Sequence, residues 1–514
     1  MISKEKIISW LNSNEDESSD DVNKIFLSEI NDNVSTQKEK ISSDNLNNIK
    51  KIIKIFSKKP WATQEEISNN LNIKKDQLIK INKIISQSEI MQNLILKEGI
   101  ANKYWNSIIP FASLTKKTLK NEYSFPKRIA LFPGVSCMFY CGFCGRNQNA
   151  KYPLSIIDDS LEMYKKLFDE SPEYTKYSIS GGLEPLTNPK LGELIRYANV
   201  SGKRMPIITN GFSLTPNYVA KNSGLFYADS IRISLYGVDS ESYQFITRVN
   251  KAYKQVKNNT VNFLKERNQR NKNLKFGFNF IVIPENINQL LEIPKLVSEI
   301  NSEVNNGEGV NFLTIRDDYQ SVTNHSEHRD VERKYRLEKS MNLQERNKLK
   351  ETIFKFEDYR KKLCPNLYVD YGYALESLFR GIQDAGLIKI RGNRMRKFGF
   401  TQISVAIDLY GDVFLFREAG FLNREGNKKM IIGRISKDVS LEEIIKNYLN
   451  KNIPLDLEDD DSRFMDSFDH VITSLVNQAE EDKKFGIPFD LGPIKSRKEN
   501  VKMMLGNNWY SETT

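Results

Sequence analysis

Cysteine is scarce, at four in 514 residues, which excludes a disulfide-stapled scaffold. No run of 18 apolar residues occurs, so no membrane-spanning helix is expected. The first residues, MISKEKIISWLNSNEDESSDD, soon turn acidic and lack the apolar stretch of a secretory signal. A soluble, cytoplasmic protein with no membrane partner is the expectation. Long Gly/Pro linkers and internal repeats are also missing, and low complexity goes no further than a general Lys/Asn bias.

Hydrophobic residues make up 39% and charged residues 28%, enough for a sizeable core and too apolar for global disorder. The length allows two or three domains, or one large domain with extensions. A net charge of +10 fits a nucleic-acid partner, an anionic small substrate or neither. The lysines are spread rather than gathered into a stripe, so no nucleic-acid partner is expected.

Residues 1–125 form a helical region, with apolar residues at helical spacing in IISWLN, NIKKIIKIF and DQLIKINKII. The period then changes. RIALF (128–132), KYSIS (176–180), RMPIIT (204–209), SIRISLY (230–236), KFGFNFIVI (275–283) and GVNFLTI (309–315) have the composition of strands. Helical patterns near 156–170, 190–200, 215–222, 240–267, 287–302 and 342–362 separate them. Six such alternations over 126–320 predict an α/β fold: a parallel sheet with helical crossovers, an open partial barrel rather than a closed eight-fold one. Residues 321–514 look like an α+β extension. YVDYGYAL (368–375) reads as a strand, SVAIDLYGDVFLFREAG (404–420) as a hairpin turning at Tyr410-Gly411-Asp412, and 440–484 as helical.

Three of the four cysteines stand together. Cys137, Cys141 and Cys144 in GVSCMFYCGFCGRN have the spacing C-x3-C-x2-C, directly after the first strand. Thiolates suit soft iron. A [4Fe–4S] cluster held by three of them leaves one iron open to the amino and carboxylate groups of S-adenosylmethionine (SAM), with Phe143 near the adenine. Zinc would need a fourth ligand from Cys364, His325, His328 or His470, all distant in sequence. Three inert buried cysteines are the remaining alternative.

On the triplet and the strand pattern, the chain is identified as a member of the radical S-adenosylmethionine superfamily. Membership implies a partial (β/α)6 barrel, a [4Fe–4S] cluster in the loop after strand one and SAM across the barrel mouth. It also implies electrons from a flavodoxin- or ferredoxin-type donor. Ser180-Gly181-Gly182-Leu183-Glu184-Pro185 follows the second strand, where the superfamily carries Gly-Gly-x-Glu-Pro. Gly181 and Gly182 let the backbone approach a ligand, and Glu184 is a candidate for the methionyl ammonium. On strand four, Arg232, Ser234 and Tyr236 share one face and Ile231, Ile233 and Leu235 the other, so the polar face points into the barrel. Arg232 and Ser234 are candidates for the cofactor's ribose or carboxylate, or else belong to a structural network. Asn279 on strand five is a further candidate. On strand six Thr314 and Arg316 share a face ahead of Asp317 and Asp318. Arg316 either clamps a phosphate or pairs with those acids.

Longer strings narrow the resemblance. KYWNSIIPF (103–111), FPGVSCMFYCGFC (132–144), SISGGLEPLTNP (178–189), IRISLYG (231–237), IRDDY (315–319), VDYGYALESL (369–378), IDLYGDVFLFREAGF (407–421) and FMDSFDHVITSLVNQ (464–478) resemble the dTDP-4-amino-4,6-dideoxy-glucose deaminases of desosamine biosynthesis. That resemblance implies a nucleotide-sugar substrate, abstraction of its C3 hydrogen and loss of the C4 amino group as ammonia, giving a 3-keto-4,6-dideoxy sugar. Gly145-Arg146-Asn147 after the last cysteine departs from the family. Arg316 and Arg417 become candidates for the diphosphate or the C3 oxygen, and Glu418 or Tyr371, with Tyr373 nearby, for proton transfer. A surface Arg417–Glu418 pair is the alternative.

Other chemistries remain. A dehydrogenase or dehydratase would use the same C3 radical, and an epimerase would need a thiol, for which Cys364 is the spare. One spare cysteine cannot hold a second cluster. Residues 62–85 have helix-turn-helix spacing, which leaves a redox-sensing DNA-binding regulator as a reading of a different class.

Overall fold

The computed structural model describes residues 42–88, 91, 95, 104, 111–142, 144–146, 149–271, 273–304, 308–317, 342–372, 375 and 397–487. Described residues up to Thr115, with those from Val471 on, form one compact unit, and those from Lys116 to His470 form another.

In the first unit the helices Ser43–Lys58, Gln64–Leu71 and Lys75–Gln87 bury one apolar face each, through Ile49, Ile52, Ile67, Leu78 and Ile81. Thr63 and Glu66 close a reciprocal capping box, and Asn72 ends that helix at φ 51°. Residues 62–85 are thus a helix-turn-helix in shape. The Gln64 N–H donates to Asp482 at 2.7 Å, and Gln478 donates to the Pro60 and Ala62 carbonyls at 3.2 and 2.6 Å. IISWLN lies outside the described residues.

The second unit is built on one sheet: β1 (Arg128–Phe132), β2 (Lys176–Ile179), β3 (Pro206–Thr209), β4 (Ser230–Leu235), β5 (Lys275–Val282), β6 (Phe312–Asp317), β7 (Tyr368–Tyr371), β8 (Ser404–Asp408), β9 (Asp412–Phe414) and β10 (Ile431–Arg434). The order is β10-β9-β8-β1-β2-β3-β4-β5-β6-β7, with every neighbouring pair from β8 to β7 parallel. The sheet is open, as the six-fold alternation predicts. It is also longer than that pattern indicates. β8 pairs in parallel with β1, so the expected hairpin continues the barrel sheet, and β9 and β10 add antiparallel strands beyond it.

Two boundaries shift. β6 starts at Phe312, not Gly309, because the Gly309 carbonyl and the Val310 N–H are taken by Arg267 and Asn301, at 3.2 and 2.9 Å. It runs on through Arg316 and Asp317 because both keep pairing with β5. The helix expected over 240–267 breaks into Ser240–Thr247 and Ala252–Arg270, with Arg248 and Lys251 in left-handed conformation between them.

Alternation places the site. Ile231, Ile233 and Leu235 are buried in the helix-covered core, each contributing roughly 1.5–3 kcal/mol. On the opposite face, Ser234, Asn279, Thr314 and Asp370 stand in register across β4, β5, β6 and β7. Among the described residues no helix is long and apolar enough to cross a membrane.

Candidate active site

The loops after β1 and β2 lock together. A Cβ on Gly134 would stand 2.7 Å from the Leu183 backbone, so only glycine permits this approach. The Glu184 N–H donates to the Ser136 carbonyl at 2.8 Å, and Thr187 Oγ1 accepts from the Val135 and Ser136 N–H groups at 2.9 and 3.1 Å. Gly181 and Gly182 have φ of +85° and +64°, conformations that turn their backbone toward the cleft.

Cys137, Cys141 and Cys144 line this cleft together with Gly181, Gly182, Glu184, Ser234, Asn279, Arg316, Arg417 and Glu418. Burial pushes the Cys137 thiol up to about 11 and the Cys141 thiol well above its ordinary value. Burial works against the Arg146 charge, yet the three cysteines lift its pKa. Arg146 is buried and donates to the Phe139 carbonyl, which fixes the loop between the first two cysteines. Phe139 packs edge-on against Phe212 and Tyr236, at 5.5 and 5.6 Å between ring centres. Asn210 Nδ2 lies 3.9 Å from Cys137 Sγ, and Tyr236 hydrogen-bonds Cys141. Asn210 escaped the sequence reading, and Arg146 entered it only within the run that departs from the family. The available signals were an arginine two residues past the last cysteine and an Asn-Gly directly after β3.

Glu184 is buried, and its carboxylate is engaged by its own chain. Thr209 Oγ1, the Asn210 N–H (2.8 Å) and the Leu186 N–H (3.1 Å) all donate to it. Burial raises its pKa and those three donors oppose the rise. Glu184 therefore ties the glycine segment to the end of β3, and the exposed groups beside it are backbone.

Ser234 and Asn279 line the cleft, and Asn279 Oδ1 is buried with no hydrogen-bond partner among the described residues. Arg232 lies one level deeper, 5.6 Å over the Phe312 ring. Burial, then repulsion from Arg316, pushes its pKa down to about 9 against the opposing pull of Asp370. Arg417 and Glu418 are not a surface pair. Arg417 donates to Asp466 at 2.8 Å and to Ser180, while Glu418 pairs with Arg424 at 3.1 Å.

Tyr371 is elsewhere. It stands in register with Ile315, on the helix-facing side of the sheet, and donates to Glu357 at 2.6 Å. Its inward neighbour is Asp370, which the sequence reading passed over. Tyr371→Phe should lower stability by about 1 kcal/mol without touching SAM cleavage; loss of turnover with cleavage retained would return Tyr371 to the site. Cys364 is also remote from the cleft lining: buried, with Sγ donating to the Pro294 carbonyl at 3.1 Å. Phe143, Tyr373, Asp318, His325 and His328 lie outside the described residues.

Residues 131–297 match the Radical SAM superfamily. The dTDP-4-amino-4,6-dideoxy-D-glucose ammonia-lyase of Streptomyces venezuelae is 33% identical over 436 residues, 84% of this chain and 86% of that protein. Among solved structures, Streptococcus suis SuiB aligns over 74% of this chain and 77% of its own at 15% identity and a TM-score of 0.42. BtrN in complex with AdoMet and 2-DOIA aligns over 70% and 90% at 10% identity and a TM-score of 0.27. These two structural likenesses are weak, and no assignment rests on them.

Proposed function

This chain belongs to the radical SAM superfamily and, within it, to the family of the dTDP-4-amino-4,6-dideoxy-D-glucose ammonia-lyase, and from that premise we propose that it deaminates a nucleotide-linked 4-amino-4,6-dideoxy sugar. The C3 hydrogen is removed, the C4 amino group leaves as ammonia, and a 3-keto-4,6-dideoxy sugar results. The observation that carries this reading is the extent of the likeness: 436 residues, against residues 131–297 for the superfamily match.

Superfamily membership brings SAM and an iron–sulfur cluster. The finer reading is a [4Fe–4S] cluster on Cys137, Cys141 and Cys144. Among the described residues no three His, Cys, Asp or Glu side chains are close enough to share one metal ion. The three thiols line one cleft with Gly181 and Gly182, and zinc would need a fourth protein ligand there. The cluster and SAM together supply a 5′-deoxyadenosyl radical at the barrel mouth.

The chain's own tasks are orientation, proton control and exclusion of water. Gly181 and Gly182 offer backbone to the methionyl group, with Glu184 holding them in place. Ser234 and Asn279 would hold the cofactor's ribose or carboxylate, and Arg232 supports them from below. Arg316 and Arg417 receive anionic groups, the diphosphate or the developing charge on the C3 oxygen. Glu418 takes the C3 hydroxyl proton. A hydroxyl on a radical carbon is more acidic than an alcohol, and the ketyl formed on losing that proton expels the β-ammonium as ammonia. The C4 radical left beside the new C3 carbonyl takes one electron from the reduced donor and one proton to give the 3-keto-4,6-dideoxy sugar. On this reading 126–320 supplies the cofactor side and 321–514 completes the substrate side through Arg417 and Glu418. The enzyme works in the cytoplasm with a flavodoxin- or ferredoxin-type donor.

The test is anaerobic reconstitution followed by mass spectrometry over a panel of dTDP-sugars. Free ammonia with a 3-keto product is expected; a 3-keto product that keeps its C4 nitrogen would show a dehydrogenase instead. Epimerisation through Cys364 is disfavoured, because that thiol is bonded to Pro294 outside the cleft lining.

A further inference from the structure

The helix Ser467–Phe485 begins at the cleft, where Asp466 and Ser467 form part of the lining. The Asp469 N–H donates to Asp466 Oδ1 at 2.8 Å and the Asp466 N–H to Asp469 Oδ2 at 3.2 Å, an ordinary reciprocal cap. Capping leaves two features unexplained. Asp466 Oδ2 accepts from two guanidinium groups, Arg417 at 2.8 Å and Arg128 at 3.2 Å. Asp469 Oδ1 is buried and has no hydrogen-bond partner among the described residues.

We propose that Asp466 and Asp469 form the positioning device of this wall. Asp466 fixes the Arg417 guanidinium against Ser180, and Asp469, carrying a proton, keeps the wall net cationic for an anionic group of a bound ligand. The proposal rests on the reading above that Arg417 receives a ligand anion, a carboxylate or a phosphate.

The geometry supports each part. Arg417 loses much of its rotamer freedom before any ligand arrives, because Asp466 and Ser180 hold its two terminal nitrogens. Arg128 is locked behind it, bonded to Ser404 at 3.4 Å and set 4.3 Å over the Phe468 ring. Two guanidinium groups thus face one ionised carboxylate. A second bare carboxylate would cancel the surplus, and an oxygen buried without a donor is where a proton is most stable. Burial and the neighbouring Asp466 hold Asp469 above the ordinary carboxylate range, against the opposing pull of Arg128 and the Arg417 and Asp466 N–H groups. Asp466 lies below that range despite its burial, because of Arg128 and Arg417. The charged groups around the pair are therefore Arg128 from β1 and Arg417 from the turn after β9, with His470 next along the helix. As pH rises and Asp469 ionises, the wall loses its surplus charge, and anion affinity must fall.

The experiment is calorimetric titration of reconstituted holoenzyme with SAM and, separately, with dTDP. Asp466→Asn keeps the capping oxygen and removes the charge. Affinity for one of the two ligands should drop about tenfold or more. A loss confined to SAM identifies a carboxylate, and a loss confined to dTDP a phosphate. Unchanged affinity for both overturns the proposal. Asp469→Asn is the second variant. The ratio of affinities at about pH 7 and about pH 9 should fall toward one relative to the parent protein; a ratio equal to the parent's would refute the proton on Asp469. Binding is read without turnover, so a failure of the deaminase reading leaves both outcomes interpretable.

Discussion

Cys141→Ala should abolish SAM cleavage and leave the anaerobically reconstituted protein short of iron. Cys141 is the most deeply buried of the three clustered cysteines. Burial raises its pKa and so works against the thiolate that iron requires. Bound iron reverses that preference by supplying positive charge, so binding must release protons. Removing this sulfur takes away a ligand, and the loss should exceed the ~10–100-fold typical of a lost outer-shell partner. Asn210 and Tyr236, which reach Cys137 and Cys141, are such outer partners and should show the smaller effect. Full iron content in Cys141→Ala would refute the cluster assignment. Cys364→Ala serves as the control, since its thiol donates to the Pro294 carbonyl and Cys364 is not among the residues lining the cleft.

Glu184→Ala should have the next largest effect, on SAM affinity and on stability together. Its carboxylate satisfies Thr209 Oγ1, the Asn210 N–H and the Leu186 N–H in a buried site. Each donor left bare costs about 1–3 kcal/mol, so the melting temperature should drop by several degrees. The glycine segment would lose its tie to β3, and with it the fixed position of the Gly181 and Gly182 backbone in the cleft. Glu184→Gln keeps one acceptor oxygen and should recover part of the affinity. Calorimetry on holoenzyme checks this; a cofactor affinity equal to the parent's would contradict the role.

Most of the cleft lining was legible because it is local. C-x3-C-x2-C, Ser-Gly-Gly-Leu-Glu-Pro and the alternation around Ile233 are each written within one loop or strand. The parallel pairing of β8 with β1 was not, because no local pattern names a partner 276 residues away. Glu184 was placed correctly in the chain, but its partners come from β3 and from its own turn, so its carboxylate faces protein. Tyr371 and Asp370 differ by one residue, and a single step along a strand exchanges the helix side for the cleft side. Asp466 and Asp469 carried a signal, an Asp-x-x-Asp at a helix start, but capping accounts for that spacing. Arg128 and Arg417, which give the pair its further meaning, arrive from β1 and from the turn after β9.

The most direct test of the central claim is turnover of a dTDP-4-amino-4,6-dideoxy sugar deuterated at C3. Deuterium in 5′-deoxyadenosine together with free ammonia is the predicted result. Label transfer without ammonia would mean oxidation with the C4 nitrogen kept, and a product that retains all its deuterium would contradict attack at C3.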